Sequence, residues 1–177
     1  MVDIRDQVED DRGLLKKIQL VIPGFRGYRK REDIRAADSI LRLQMADGLI
    51  QVRQGLEEAR SSMLEEYQSK NIDRIAGAIN HVQTLEGKVR HAEQGYTGFS
   101  PAVRIKEGEL DRLYEYDSSM IRSIQSLDQS QASLLNLVRS GDENGATEAL
   151  RAIKDELVNF ERAFDNRIPI ISGIYNL

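Results

Sequence analysis

The segment IRAADSILRLQMADGLIQVRQGLEEARSSMLEEY, residues 34–67, decides the fold. At helical spacing it places Ile34, Ala37, Leu41, Met45, Gly48, Val52, Leu56, Ala59, Met63 and Tyr67 on one stripe, at about 3.67 residues per step. Ile34, Met45, Leu56 and Tyr67 recur every eleven residues. That hendecad lets a helix run nearly straight or supercoil weakly to the right. A helix of about 40 residues is about 60 Å long, and an apolar stripe of that length requires other helices beside it. Gly48 and Gly55 lie on or next to the stripe, where each costs about 1 kcal/mol against alanine. Close approach of a neighbouring helix accounts for them; a mid-helix hinge is the other reading.

Outward from this segment the same periodicity recurs. Upstream, Ile4, Val8, Leu15, Ile18 and Ile22 share a face that stops at Pro23-Gly24, which predicts a first helix with an acidic start. Downstream, the long helix should end near Gln68, with a turn at Ser69-Lys70-Asn71 and Asn71 as the cap of a third helix; the alternative is that the rod continues, since neither proline nor glycine forces a break. That helix buries Ile72, Ile75, Ile79, Val82, Leu85, Val89 and Ala92 and ends at Gly95. A fourth helix runs from about Lys106 to Ser140 on Leu110, Leu113, Met120, Ile124, Leu127, Leu134 and Val138, with Asp117 and Gln131 filling gaps in the stripe. A core-facing Asp117 needs a partner, because an unpaired buried charge is costly. After Ser140-Gly141-Asp142 a fifth helix carries Ala146, Leu150, Ile153, Leu157, Phe160, Phe164 and Ile168. Pro169 should stop it, leaving residues 168–177 as an extended apolar tail.

The predicted architecture is all-α: a single domain over residues 1–177, an elongated antiparallel bundle of about five helices built on the one long hendecad helix. The 177 residues suffice for one core, and the absence of tryptophan makes that core aliphatic. With 25 Lys+Arg against 29 Asp+Glu, no global charge draws the chain to nucleic acid. The lack of cysteine removes disulfides, thiolate chemistry and zinc–sulfur sites. Charges interrupt the N-terminal stretch where a signal peptide would be apolar, and no run approaches the length of a membrane span. A cytoplasmic protein is the expectation.

Catalytic signatures fail on inspection. A di-iron carboxylate bundle needs Glu-x-x-His pairs, but the residues three before His81 and His91 are Ala78 and Lys88. The two histidines, ten residues apart, lie about 80° off a common helix face. Phosphate-loop, nucleophile-elbow and triad patterns are missing. No catalytic residue, metal ligand or cofactor is therefore expected, and an enzyme ranks third among the readings.

The binding candidates sit in two loops. Gly24-Phe25-Arg26-Gly27-Tyr28 and Gly95-Tyr96-Thr97-Gly98-Phe99 repeat one pattern: glycine, aromatic, polar, glycine, aromatic. The first runs into a basic cluster, Arg26, Arg29, Lys30 and Arg31, at the start of the long helix, where cations oppose the helix dipole. Their counter-charge is either internal, from Glu107, Glu109 and Asp111, or an external anion. The segments I-P-G-F-R-G-Y-R-K-R-E-D (22–33), and G-Y-T-G-F with V-R-I-K-E-G-E-L-D-R-L-Y-E-Y-D (103–117), resemble an uncharacterised family of helical bacterial and archaeal proteins. The resemblance covers most of the chain; it implies that the two loops act as a unit and brings no activity or cofactor.

Counting chain reversals places both loops and the tail at one end, as a composite cap that holds Phe25, Tyr28, Tyr96, Phe99 and Tyr175 beside Arg26 and Arg29. The function expected is a non-catalytic interaction or scaffold module, with a protein partner or self-association at this cap. The alternative is a peripheral protein whose basic loop, residues 26–31, docks on an anionic membrane surface.

Overall fold

A computed structural model describes residues 31–65, 69–92 and 107–175. These form four α-helices: α1 (Arg31–Glu65), α2 (Ile72–His91), α3 (Glu107–Arg139) and α4 (Glu143–Tyr175), with a 3-10 turn at Ser69–Asn71 before α2. Among the described residues there is no strand. The predicted long helix is α1, but it is not unique: α1 has 35 residues, and α3 and α4 have 33 each. The first predicted helix, in residues 1–22, lies outside the described residues.

Among the described residues the core follows the stripes read from the sequence and adds Ala46, Leu49, Ala78 and Ile121, which those stripes left out. Leu41, Met45, Val52, Leu56, Ala59 and Met63 of α1 are fully buried, facing Ile75, Val82, Leu85 and Val89 of α2. Met120, Leu127, Leu134 and Val138 of α3 and Ile153, Leu157 and Phe160 of α4 complete it. Phe160 and Phe164 stack with ring centroids 6.4 Å apart.

The chain runs up, down, up, down, yet the neighbours around the square are not those of a simple meander. On the antiparallel α1/α2 pair, Arg42 lies beside the end of α2 and Arg53 beside Glu86. On the antiparallel α3/α4 pair, Ser130 meets Glu156 and Asp117 meets Arg167. The other two sides are parallel. Along α1/α3, Gly48 faces Ile124, Gly55 faces Gln131, and Glu58 pairs with Arg139 at 2.7 Å. Along α2/α4, Asn71 bonds to Glu143 and Lys88 to Asp165. Among the described residues α1 never approaches α4 within 8 Å between Cα atoms, nor α2 α3, so these pairs are the diagonals. The connection at residues 93–106 therefore joins helices across a diagonal, and the bundle is antiparallel by direction but parallel along two of its four seams.

Local chemistry explains the helix ends. Gly141 takes the left-handed backbone, with φ of 75°. Its N–H donates to the Val138 carbonyl and that of Asp142 to the Leu137 carbonyl, the paired bonds that close a helix C-terminus. Asp142 then caps α4, accepting from the Gly145 N–H at 2.9 Å. Asn71 behaves differently from its predicted role. It makes no side-chain cap bond to α2. Instead it is fully buried; its amide donates to the Glu143 carbonyl at 3.1 Å, and its oxygen accepts from the Thr147 hydroxyl at 3.0 Å. The residue that opens α2 thus ties the first turn of α4 to it.

The extended tail is a second correction. Helix α4 continues through Pro169 to Tyr175. Proline removes one backbone hydrogen bond, a cost of about 3 kcal/mol. The apolar spacing persists past it, however, through Phe164, Ile168, Ile171 and Tyr175, and a continuing stripe can offset that cost.

The close-approach reading of the two stripe glycines holds. A Cβ on Gly48 would lie 2.6 Å from Cγ2 of Ile124, and one on Gly55 would run into the Gln131 carboxamide. Both glycines sit on the parallel α1/α3 seam.

Candidate functional site

Phe25, Arg26, Tyr28, Arg29, Lys30, Tyr96 and Phe99 lie outside the described residues. Arg31 is the first residue of α1. The helix ends that flank the two loops are described, and they lie together. The Arg42 guanidinium donates to the carbonyl of Ala92 at 2.9 Å and to that of Arg90 at 3.5 Å, which fixes the end of α2 beside the first third of α1. The start of α3 and the end of α4 share that level, joined by Asp117 and Arg167. At the opposite end, Lys70 and Asn144 bring the two short turns within 3.3 Å of each other. The described helix ends next to both loops, Arg31 of α1, Ala92 after α2 and Glu107 of α3, therefore lie toward one end of the bundle.

Helix α2 stops short at this end. Its last turn lies level with Arg42, so residues 31–41 of α1 run about 16 Å beyond it. Among the described residues, only α1, α3 and α4 continue past that point. Ile40 and Leu43 are exposed on α1 here. The cations Lys88 and Arg90 in the last turn of α2 suit the negative end of its dipole.

Asp117 is the buried polar residue that the sequence singled out. Its side chain is 1% exposed and that of Arg167 is 5%. The guanidinium engages both carboxylate oxygens, Nε to Oδ1 at 2.9 Å and an Nη to Oδ2 at 3.2 Å, a two-pronged geometry that fits arginine better than lysine. The helical spacing does not identify this partner, since nothing in it singles out Arg167 from the chain's other cations. Next to the pair, the Tyr116 hydroxyl donates to the Ala163 carbonyl. Burial pushes that phenol above its ordinary pKa, the nearby Arg167 charge opposing. Tyr116 is thus a packing residue whose hydroxyl is satisfied by backbone.

Along the lower α2/α4 seam His81, Lys88, Glu161 and Asp165 form one network. Lys88 Nζ lies 3.0 Å from Glu161 and 2.7 Å from Asp165, and His81 Nε2 lies 3.1 Å from Glu161. An ionised carboxylate can only accept, so the imidazole donates. The hydrogen bond from Lys88, and then that from His81, hold the Glu161 carboxyl below its usual range. The hydrogen bond to Asp165 is the largest influence raising the Lys88 pKa. The four side chains are partly exposed, which limits the pairs to a small contribution to stability. Among the described residues no group of three or more potential ligands could hold a metal ion, and no helix is long and apolar enough to cross a membrane. No family model matches the chain, and no curated protein or solved structure matches it significantly.

Proposed function

We propose that this chain is a non-catalytic helical interaction module of the cytoplasm, whose partner, a protein or a second copy, binds at a cap formed by the two glycine-aromatic loops. In this reading residues 1–22 add a fifth helix to the bundle. The observation that carries it is the convergence of the helix ends. The bonds of Arg42 to the end of α2, and of Asp117 to Arg167, hold the departure points of both loops at one end. Exposed Ile40 and Leu43 add apolar surface there, as Leu64 does near the other end. Phe25, Tyr28, Tyr96 and Phe99 are the anchors, since aromatic side chains supply much of the binding energy of protein interfaces. Arg26, Arg29, Lys30 and Arg31 provide charge complementarity to the partner.

Affinity capture from the native host, comparing the wild-type chain with Phe25→Ala/Phe99→Ala, tests this. The partner bound by the wild type should be lost from the variant while the helical circular dichroism is unchanged; identical captures would overturn the reading. Sedimentation with anionic vesicles tests the membrane alternative in the same preparation. Binding at low salt that disappears at high salt, and is abolished by Arg26→Gln/Arg29→Gln, would put the membrane in the partner's place.

A further inference from the structure

The α2/α4 seam treats its charges in two ways. Near its lower end each base meets acid, Lys88 on Glu161 and Asp165 and His81 on Glu161. In its upper half base faces base. There a groove of about 480 Å³ is lined by Arg74 and Gly77 of α2 and by Arg151 and Lys154 of α4, with Ala78 and Leu150 as an apolar floor. The side chains of Arg74, Arg151 and Lys154 make no ion pair or hydrogen bond among the described residues. Asp73 is the only carboxylate in the lining, and His81 closes the lower edge. Three cations against one anion leave a net positive cleft beside an apolar wall, where low dielectric focuses the field.

Gly77 is a separate observation. Glycine inside a helix costs about 1 kcal/mol against alanine, and on α1 that cost is explained by close packing against α3. Nothing lies within 4 Å of a Cβ built on Gly77. Among the described residues no neighbour requires the glycine, and the space its missing side chain leaves opens into the groove. Gly87 is similarly unconfined but does not line the groove, so the argument rests on the coincidence of Gly77 with the three cations.

We propose that this groove binds a small organic phosphate ester. Its volume falls within the roughly 300–1,000 Å³ typical of small-molecule sites. Arg74 and Arg151 supply planar guanidinium groups that grip phosphate oxygens in pairs, and Lys154 adds a point charge. The apolar part of the ester lies on Ala78 and Leu150, where Gly77 gives it room against the helix backbone. This site lies on the side of the bundle, away from the cap, and does not depend on the cap's function.

The test is a nuclear magnetic resonance titration of the full chain with phenyl phosphate, with inorganic phosphate and phosphatidic acid vesicles as separate arms. Saturable shifts centred on the amides of residues 74–78 and 150–154 are expected, with phenyl phosphate binding more tightly than inorganic phosphate. Arg74→Gln and Arg151→Gln should each weaken binding about tenfold, the loss of a charge-assisted hydrogen bond. Gly77→Leu should fill the groove and abolish binding while leaving the melting curve at or above that of the wild type. A response confined to the vesicle arm and lost in Gly77→Leu would keep the phosphate monoester chemistry and assign its source to a lipid headgroup. The absence of shifts in all arms, or shifts that survive Gly77→Leu, would overturn the proposal.

Discussion

Asp117→Ala is expected to lower stability by about 3–5 kcal/mol in denaturant unfolding followed by circular dichroism, because it removes the carboxylate that the buried Arg167 guanidinium grips with two bonds. Both side chains are almost wholly buried, and α4 cannot turn Arg167 outward without also moving Phe164 and Phe160, which pack one and two turns before it on the same face. Arg167→Met should cost a comparable amount by removing the guanidinium that bonds both oxygens of the buried carboxylate. The double variant Asp117→Leu/Arg167→Met should recover much of the loss, since a buried ion pair replaced by apolar groups of similar volume is often neutral or stabilising. Single variants that each cost under about 1 kcal/mol would show that water reaches the pair, contrary to its burial.

The second large effect is expected at Gly48. Substitution by leucine should destabilise at the upper end of the roughly 1–3 kcal/mol usual for overpacking. Ile124, the residue a Cβ would strike, is β-branched and held to one side-chain rotamer in a helix, so the two helices must separate. Gly48→Ala also loses, since the gain of about 1 kcal/mol in helix propensity does not offset the clash. Gly55→Ala is the contrast. Its obstruction is the far end of the flexible Gln131 side chain, which can swing away, leaving stability unchanged or raised. Denaturation midpoints for the three variants check this ordering; equal tolerance at Gly48 and Gly55 would contradict the close parallel packing of α1 on α3.

The stripes were legible because burial imposes a period on residue choice that needs no knowledge of the neighbour. Every stripe residue from Leu41 to Val52 and Leu56 to Met63 is buried except Gly48, which is half-buried where Ile124 presses against it. Asp117 was legible for the same reason, as a break in a pattern. What the pattern cannot carry is identity across the core. Neither the parallel α1/α3 seam nor the Arg167 partner leaves a local signal, since both depend on which helix fills which corner of the square. Asn71 shows another limit: asparagine before a helix looks the same whether its side chain caps that helix or reaches Glu143 and Thr147. The tail was misread because Pro169 was weighed as a local breaker, whereas α4 runs on through it. The loop residues that carry the functional reading were singled out by a short repeat, and the helix ends around them provide its structural support.

The most direct test of the cap is a distance. The chain has no native cysteine, so Phe25→Cys/Phe99→Cys can be spin-labelled at those two sites alone and measured by pulsed electron resonance. With both loops at one end, the distance distribution should centre below about 25 Å, half or less of the roughly 50 Å that a 35-residue helix such as α1 spans. A distribution centred near about 50 Å would place the loops at opposite ends, and the composite cap, with the interaction module built on it, would be contradicted.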